Sequence, residues 1–226
     1  LNNPTKTGYT FAGWTGSNGT TKQTQVTISK GSTENKEYTA NWNANTYTIT
    51  YNGNGATGGD TAKSTHEYNK EKALTANGFT KGYTITYNHN YQGSQNQTRE
   101  SNVAFSKWNT KADGTGTDYN NQAVVSKLAT SGTFNLYAKW TSSSVTYVPT
   151  RTGYTFAGWY KEAGCTNKLS EADGVDTPSA NITVYAKWTE NTYNIKFNGN
   201  GATGGSMSNM TGIKYTESKN LTANAF

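Results

Sequence analysis

The chain has 226 residues, a net charge of +6 and only 32% hydrophobic residues, which places it near compositions that stay disordered. Sixteen Tyr, seven Phe and six Trp supply the apolar area that the sparse Leu, Ile and Val lack, since each ring buries roughly 150 to 250 Å². Small ring-held cores are therefore expected, and the dispersed basic residues argue against a nucleic-acid partner.

The first element is Thr7-Gly-Tyr-Thr-Phe-Ala-Gly-Trp14, whose internal glycine predicts a β-bulge that re-aims Trp14. A closing strand follows with Tyr38, Ala40 and Trp42 on one face, and the short polar stretch Asn43 to Thr46 reads as a linker. Tyr47, Ile49 and Tyr51 then alternate with Thr48 and Thr50, the pattern of a half-buried strand.

Gly53-Asn-Gly55-Ala-Thr-Gly58 spells G-x-G-x-x-G, yet a dinucleotide site needs a helix opening at those glycines and an acidic residue about 20 positions on. Neither is present, so this segment reads as a turn, as does its copy at Gly199, Gly201 and Gly204. Asn69 to Asn77 and Thr216 to Asn224 are short helix candidates with plausible N-caps. Tyr83 to Asn102 is long and polar.

Phe105-Ser-Lys-Trp108 keeps the Phe-x-x-Trp spacing with Lys107 in the glycine's place, and Asp113-Gly-Thr-Gly-Thr-Asp118 holds too few acids for calcium, so a hairpin turn is expected there. Tyr137-Ala-Lys-Trp140 closes this unit, and Thr141 to Ser144 is a second polar linker. Thr152 to Trp159 repeats Thr7 to Trp14, Tyr185-Ala-Lys-Trp188 closes again, and Tyr193, Ile195 and Phe197 repeat Tyr47, Ile49 and Tyr51. The long period is about 146 residues and the half-period about 70.

These recurrences divide the chain into 1–42, the C-terminal part of a repeat module, and 46–140, a complete but diverged module. They continue with 145–188, a shortened module without a glycine-rich opening half, and 192–226, the N-terminal part of a further one. Modules of this size bury only about 60% of their unfolded surface and depend on their neighbours. The fold class expected is mainly β, α+β at most, with small sheet modules strung in tandem.

Candidate chemistry is thin. His66 and His89 recur in no later copy and read as solvated or strand-edge histidines, and Cys165 has no cysteine partner. No catalytic, metal or cofactor site is assigned, and the chain is expected not to be an enzyme. Trp14, Trp42, Trp108, Trp140, Trp159 and Trp188 recur as module cores, with glycan stacking by exposed rings as the alternative. No apolar run is long enough to span a membrane, and the lack of an initiator Met predicts an excerpt of a longer chain.

Gly-Tyr-Thr-Phe-Ala-Gly-Trp, then Asn109-Thr-Lys-Ala-Asp-Gly-Thr-Gly-Thr117, then Tyr-Ala-Lys-Trp, together resemble the Listeria–Bacteroides repeat, related to the internalin B repeat. The resemblance implies β-grasp-like modules in secreted or cell-wall-attached bacterial proteins. It implies a spacer, display stalk or adhesin at the extracellular surface, with neighbouring modules, host matrix proteins or glycans as partners. Self-association through the edges of the Thr- and Tyr-rich strands is a further expectation.

Overall fold

The structure is a computed structural model that describes residues 3–169, 174–175 and 178–226. Strands β1 (Tyr9–Gly16), β2 (Gly19–Gln23) and β3 (Tyr38–Ala44) form one sheet in the order β2-β1-β3. The chain continues through β4 (Thr46–Asn52), β5 (Gly58–Gly59), β6 (Ser64–Glu67), β7 (Lys72–Ala73), β8 (Phe79–Thr80), β9 (Thr84–Asn88) and β10 (Gln97–Glu100). Then come β11 (Asn102–Asn109), β12 (Asp118–Tyr119), β13 (Val124–Val125), β14 (Gly132–Ser143), β15 (Val145–Thr146) and β16 (Tyr154–Tyr160). The last are β17 (Gly174–Val175), β18 (Ile182–Glu190), β19 (Thr192–Ile195) and β20 (Met210–Lys214).

The described residues are all β and turn, as the mainly-β expectation required. The two short helices do not form. Asn69 takes a left-handed φ of 63° in a turn, and β7 pairs with β13 within the first candidate segment. The second candidate is a turn followed by irregular chain. Two turns of helix do not repay the cost of nucleation, and burying Leu74 beside a strand pair competes successfully.

Two compact units emerge, one of Leu1–Lys81 with Ala104–Thr141 and one of Gly82–Val103 with Ser142–Phe226. In the first, a five-stranded sheet runs β12-β11-β14-β4-β6. Here β14 lies parallel to β4, with Phe134 beside Ile49 and Leu136 beside Tyr51. Its core is Tyr47, Ile49, Leu74, Trp108, Leu136 and Ala138, flanked by Phe105, Phe134 and Trp140.

In the second unit the sheet runs β10-β9-β18-β16, with β18 parallel to β9 in the same register: Ile182 beside Ile85 and Val184 beside Tyr87. Ile85, Tyr87, Trp159, Val184 and Ala186 form the core. The polar stretch Tyr83 to Asn102 thus holds β9, which pairs with the closing strand β18, and β10, which pairs with β9. Strand pairing therefore alternates along the chain: an opening half for each unit comes first, then a closing half for each. Parallel partners need a long crossover, and this arrangement supplies one to both pairs.

Both glycine bulges are present. The β1·β3 register shifts between Phe11 and Gly13, and the β16·β18 register between Phe156 and Gly158, with φ of 121° and 118° at the glycines. The bulge brings the two rings of Phe-x-x-Trp edge to face, 5.3 Å apart for Phe11–Trp14 and 5.1 Å for Phe156–Trp159. With Lys107 in the glycine's place, Phe105 and Trp108 still pair at 4.9 Å.

Trp108 is wholly buried among Tyr51, Phe79 and Phe105. Trp108→Ala is expected to cost about 3–5 kcal/mol, enough to remove the thermal transition of the first unit while the second unit's melt, followed by near-ultraviolet circular dichroism, persists.

Candidate functional site

Each completed sheet is clasped at the loop that follows its opening strand. The Trp140 indole N–H donates to the carbonyl of Gly53 at 3.0 Å, and Trp188 donates to that of His89 at 2.7 Å. Asn54, at φ 48°, donates from Nδ2 to the carbonyls of Ala112 (2.8 Å) and Ala138 (3.0 Å). Asn90, at φ 58°, donates equivalently to Ala163 (2.9 Å) and Ala186 (3.2 Å). The segment that spells G-x-G-x-x-G is therefore a turn whose middle asparagine and inward carbonyl grip the closing strand. Phe79 packs so near Gly53 that a Cβ there would sit 2.9 Å from the ring.

A second construction joins a closing half to the opening half that follows it. At residues 8–68 the Asn45 N–H donates to Gly8 (2.9 Å), the Tyr68 N–H donates to Asn45 (2.8 Å), and the Thr10 hydroxyl bonds the Asn45 side chain at 2.6 Å. At residues 153–215 the bonds are repeated: Asn191 N–H to Gly153 (2.9 Å), Tyr215 N–H to Asn191 (2.9 Å), and the Thr155 hydroxyl to Asn191 Oδ1 (2.6 Å). Gly8 and Gly153 have φ of 77° and 78°, and a side chain at either would overlap the ring of Tyr68 or Tyr215. Those rings also meet Tyr9 and Tyr154 edge to face. Sequence reasoning treated Asn45 as linker and passed over Asn191, Tyr68 and Tyr215. Their recurrence at the long period was the signal that could have found them.

The residues weighed for chemistry are dispersed. His66 is buried, stacks on Tyr47, and shares a 2.9 Å hydrogen bond between Nε2 and Ser64 Oγ. Its Nδ1 is buried without a partner, so nothing orients the ring as a base. Ile213 fills the corresponding position opposite Tyr193, as His66 lies opposite Tyr47, which identifies the site as core. Of the solvated or strand-edge readings of His66, the structure places it on the edge strand β6 and corrects the solvated one: the strand alternation that buries Tyr47 also buries its cross-strand neighbour. His89 is half-buried, with Nε2 2.9 Å from the Tyr147 hydroxyl. Burial pushes both imidazoles below their ordinary value, with Lys72 adding to the effect at His66.

Cys165 is half-buried, accepts a hydrogen bond from Asn90 at 3.4 Å, and its thiol is pushed up by burial, away from the thiolate form. The Asp113–Asp118 segment is the tip of the β11–β12 hairpin. Asp113 accepts from the Thr115 N–H and hydroxyl. Asp118 accepts from Asn109 (2.6 Å) and lies 3.3 Å from Lys139, so its charge is already matched. In the second unit Glu162 caps the corresponding loop, accepting from the Thr166 hydroxyl and from the Thr166 and Asn167 N–H groups at 2.8 Å each, which holds its carboxyl down at about 2.

Of the six tryptophans, Trp108 and Trp159 are wholly buried, while Trp14, Trp42, Trp140 and Trp188 are half-buried. A cation caps the half-buried closing rings: Lys6 lies over Tyr9 and Trp42, Lys81 near Trp140, and Arg151 over Tyr154 (3.6 Å), Tyr91 (4.7 Å) and Trp188 (5.9 Å). Beside Arg151 an open groove of about 660 Å³ is lined by Tyr91, Tyr154, Phe156 and Trp188 with Pro149.

Fold, clasp and joint together define a tandem all-β repeat protein. The family profile of the Listeria–Bacteroides repeat domain matches residues 1–44, 76–139 and 141–187, and the chain belongs to that family. The match over 76–139 runs across the strand pairing, since β9 within it, with β10 at its side, pairs with β18 rather than with β14. A protein of Evansella cellulosilytica named as a Gly-rich membrane protein is 26% identical over 88% of this chain and 24% of its own length. Internalin H of Listeria monocytogenes is 40% identical over 26% of this chain and 12% of its own. The chain thus spans a quarter or less of these relatives. No solved structure matches it.

His66→Ile is expected to raise the melting temperature of the first unit, because it removes an unpartnered buried nitrogen, a gain of roughly 1 kcal/mol. The folded His66 takes up a proton only below the ordinary value of 6.5, so the native protein loses stability as pH falls through that value, and melts between pH 7.5 and 5.5 should show a shallower fall in the variant. For Glu162 the folded value lies below the unfolded one. Its contribution is complete above pH 4.5 and disappears towards pH 2, so the Thr166 and Asn167 amide resonances should titrate with a midpoint near 2 and cease to do so in Glu162→Gln.

Proposed function

We propose that this chain is a non-catalytic repeat segment of a secreted or cell-wall-attached bacterial surface protein, serving as a spacer that presents other domains. The carrying observation is the pair of joints at Gly8–Asn45–Tyr68 and Gly153–Asn191–Tyr215, built from the same bonds and ring contacts. A flexible tether needs no such joint, and a spacer that holds a fixed angle between half-modules does. Family membership, and a relative named as a membrane protein, support the surface location. No helix among the described residues is long and apolar enough to cross a membrane.

A second reading is favoured by the groove at Arg151. Tyr91, Tyr154 and Trp188 offer ring faces and edges beside a guanidinium, the mixture that suits a sugar or a matrix glycan. On that reading the segment is an adhesin rather than a passive stalk.

Spin labels at the exposed positions Thr183 and Thr211, on either side of the second joint, are expected to give a narrow distance distribution that broadens in Gly153→Val; a distribution already broad in the parent protein overturns the rigid spacer. Equilibrium binding to a panel of glycans, mucin and matrix proteins tests the adhesin. Saturable binding lost in Tyr91→Ala supports it, and no binding across the panel leaves the spacer.

A further inference from the structure

The two compact units are interleaved along the chain. The first takes its opening half before Gly82 and its closing half from Ala104–Thr141, while the second takes Gly82–Val103 and then the chain from Ser142 onward. The backbone therefore passes between units three times, after Lys81, after Val103 and after Thr141.

Tension across residues 46–190 would load both parallel pairs from opposite ends. It enters β4 at its N-terminal residue, Thr46, while the parallel partner β14 leads out of the first unit from its C-terminal end. In the second unit β9 leads in at its N-terminal end, and its parallel partner β18 is drawn from its C-terminal residue, Glu190. Parallel strands pulled from opposite ends slide along one another, so their evenly spaced ladder bonds bear the load together instead of parting one at a time. The clasps lie beyond the C-terminal end of each opening strand and cross the pair. Trp140 holds Gly53 and Asn54 holds Ala138 in the first unit, as Trp188 holds His89 and Asn90 holds Ala186 in the second. Sliding in the loaded direction stretches these bonds together with the ladder.

We propose that residues 46–190 are a load-bearing lock that yields in two stages. This mechanical role rests on the spacer reading, in which tension reaches the segment through its two ends. Opening of the first unit frees residues 46–81 alone: the chain then enters the second unit at Gly82, and residues 104–141 become a slack loop between Val103 and Ser142. Opening of the second unit first frees residues 142–190 alone, with residues 82–103 slack between Lys81 and Ala104. In either order the longer remainder stays held until the other parallel pair shears.

Optical tweezers test this on the 226-residue chain, with handles on Asn43→Cys and Thr192→Cys, both at exposed positions, in a Cys165→Ser background. The expected steps are about 130 Å followed by about 390 Å, or about 180 Å followed by about 350 Å, at about 3.6 Å per freed residue. A step of about 220 Å, the length of residues 82–141, means that β9 and β14 share a module and overturns the lock. A single step that frees all of 46–190 overturns it too. Moving the second handle to Ser131→Cys, an exposed position before β14, pulls the first pair from one end. Opening of the first unit is then expected at a lower force than between 43 and 192, and an equal or higher force overturns the shear geometry. Asn54→Gly keeps the left-handed turn but removes the amide clasp. It is expected to open the first unit about tenfold faster at fixed force with unchanged step lengths, and an unchanged rate overturns the clasp's part in the lock. Step lengths are read under tension and the spin-label distances without it, so failure of the lock is distinguishable from failure of the rigid spacer.

Discussion

Everything in this protein depends on the parallel pairing of a closing strand with an opening strand. A half-module has one apolar sheet face made largely of rings and almost no aliphatic bulk. When β14 lies beside β4, or β18 beside β9, Tyr47, Ile49, Ile85 and Tyr87 disappear from solvent together with Trp108 and Trp159. Burial of aromatic area is the driving term, and strand addition is the geometric means of achieving it.

The polar residues act where that pairing needs direction. An apolar face resists a one-residue slip, which would turn the rings outward, but not a two-residue slip, which keeps them on the same face. The indole bonds of Trp140 and Trp188, with the amide clasps of Asn54 and Asn90, reach from loop to closing strand and hold one register. Asn45 and Asn191 do the same at the joints between half-modules. The asparagines are thus structural connectors, and the richness in Asn, Thr and Gly that pulls the composition towards disorder is what gives these small sheets their specificity.

The same economy accounts for the chemistry. His66 occupies a core position that an isoleucine fills elsewhere, Cys165 hydrogen-bonds within the clasp, and Asp118 and Glu162 pin loops. Burial favours the neutral forms of the His66 imidazole and the Cys165 thiol, and hydrogen bonds favour the ionised Glu162 carboxylate.

Local pattern carried much of this structure. The alternation of Tyr47, Ile49 and Tyr51, the bulge glycines 13 and 158, the closing Ala-x-Trp strands and the turn at Gly53 were all legible, because strand period, glycine φ and the preference for ring burial act over a few residues. The repeat also made the family legible. Two kinds of feature were not. Residues 69–77 and 216–224 carried weak helix signals that strand pairing and the burial of Leu74 outweighed, and the joints rest on single residues whose partners lie tens of positions away. Which opening half meets which closing half was decided only in three dimensions. Near-identical halves offer near-identical faces to one another, so the sequence by itself determined that the rings must be covered, and the tertiary structure alone determined that a parallel strand covers them and that residues 85–88 pair with 182–185.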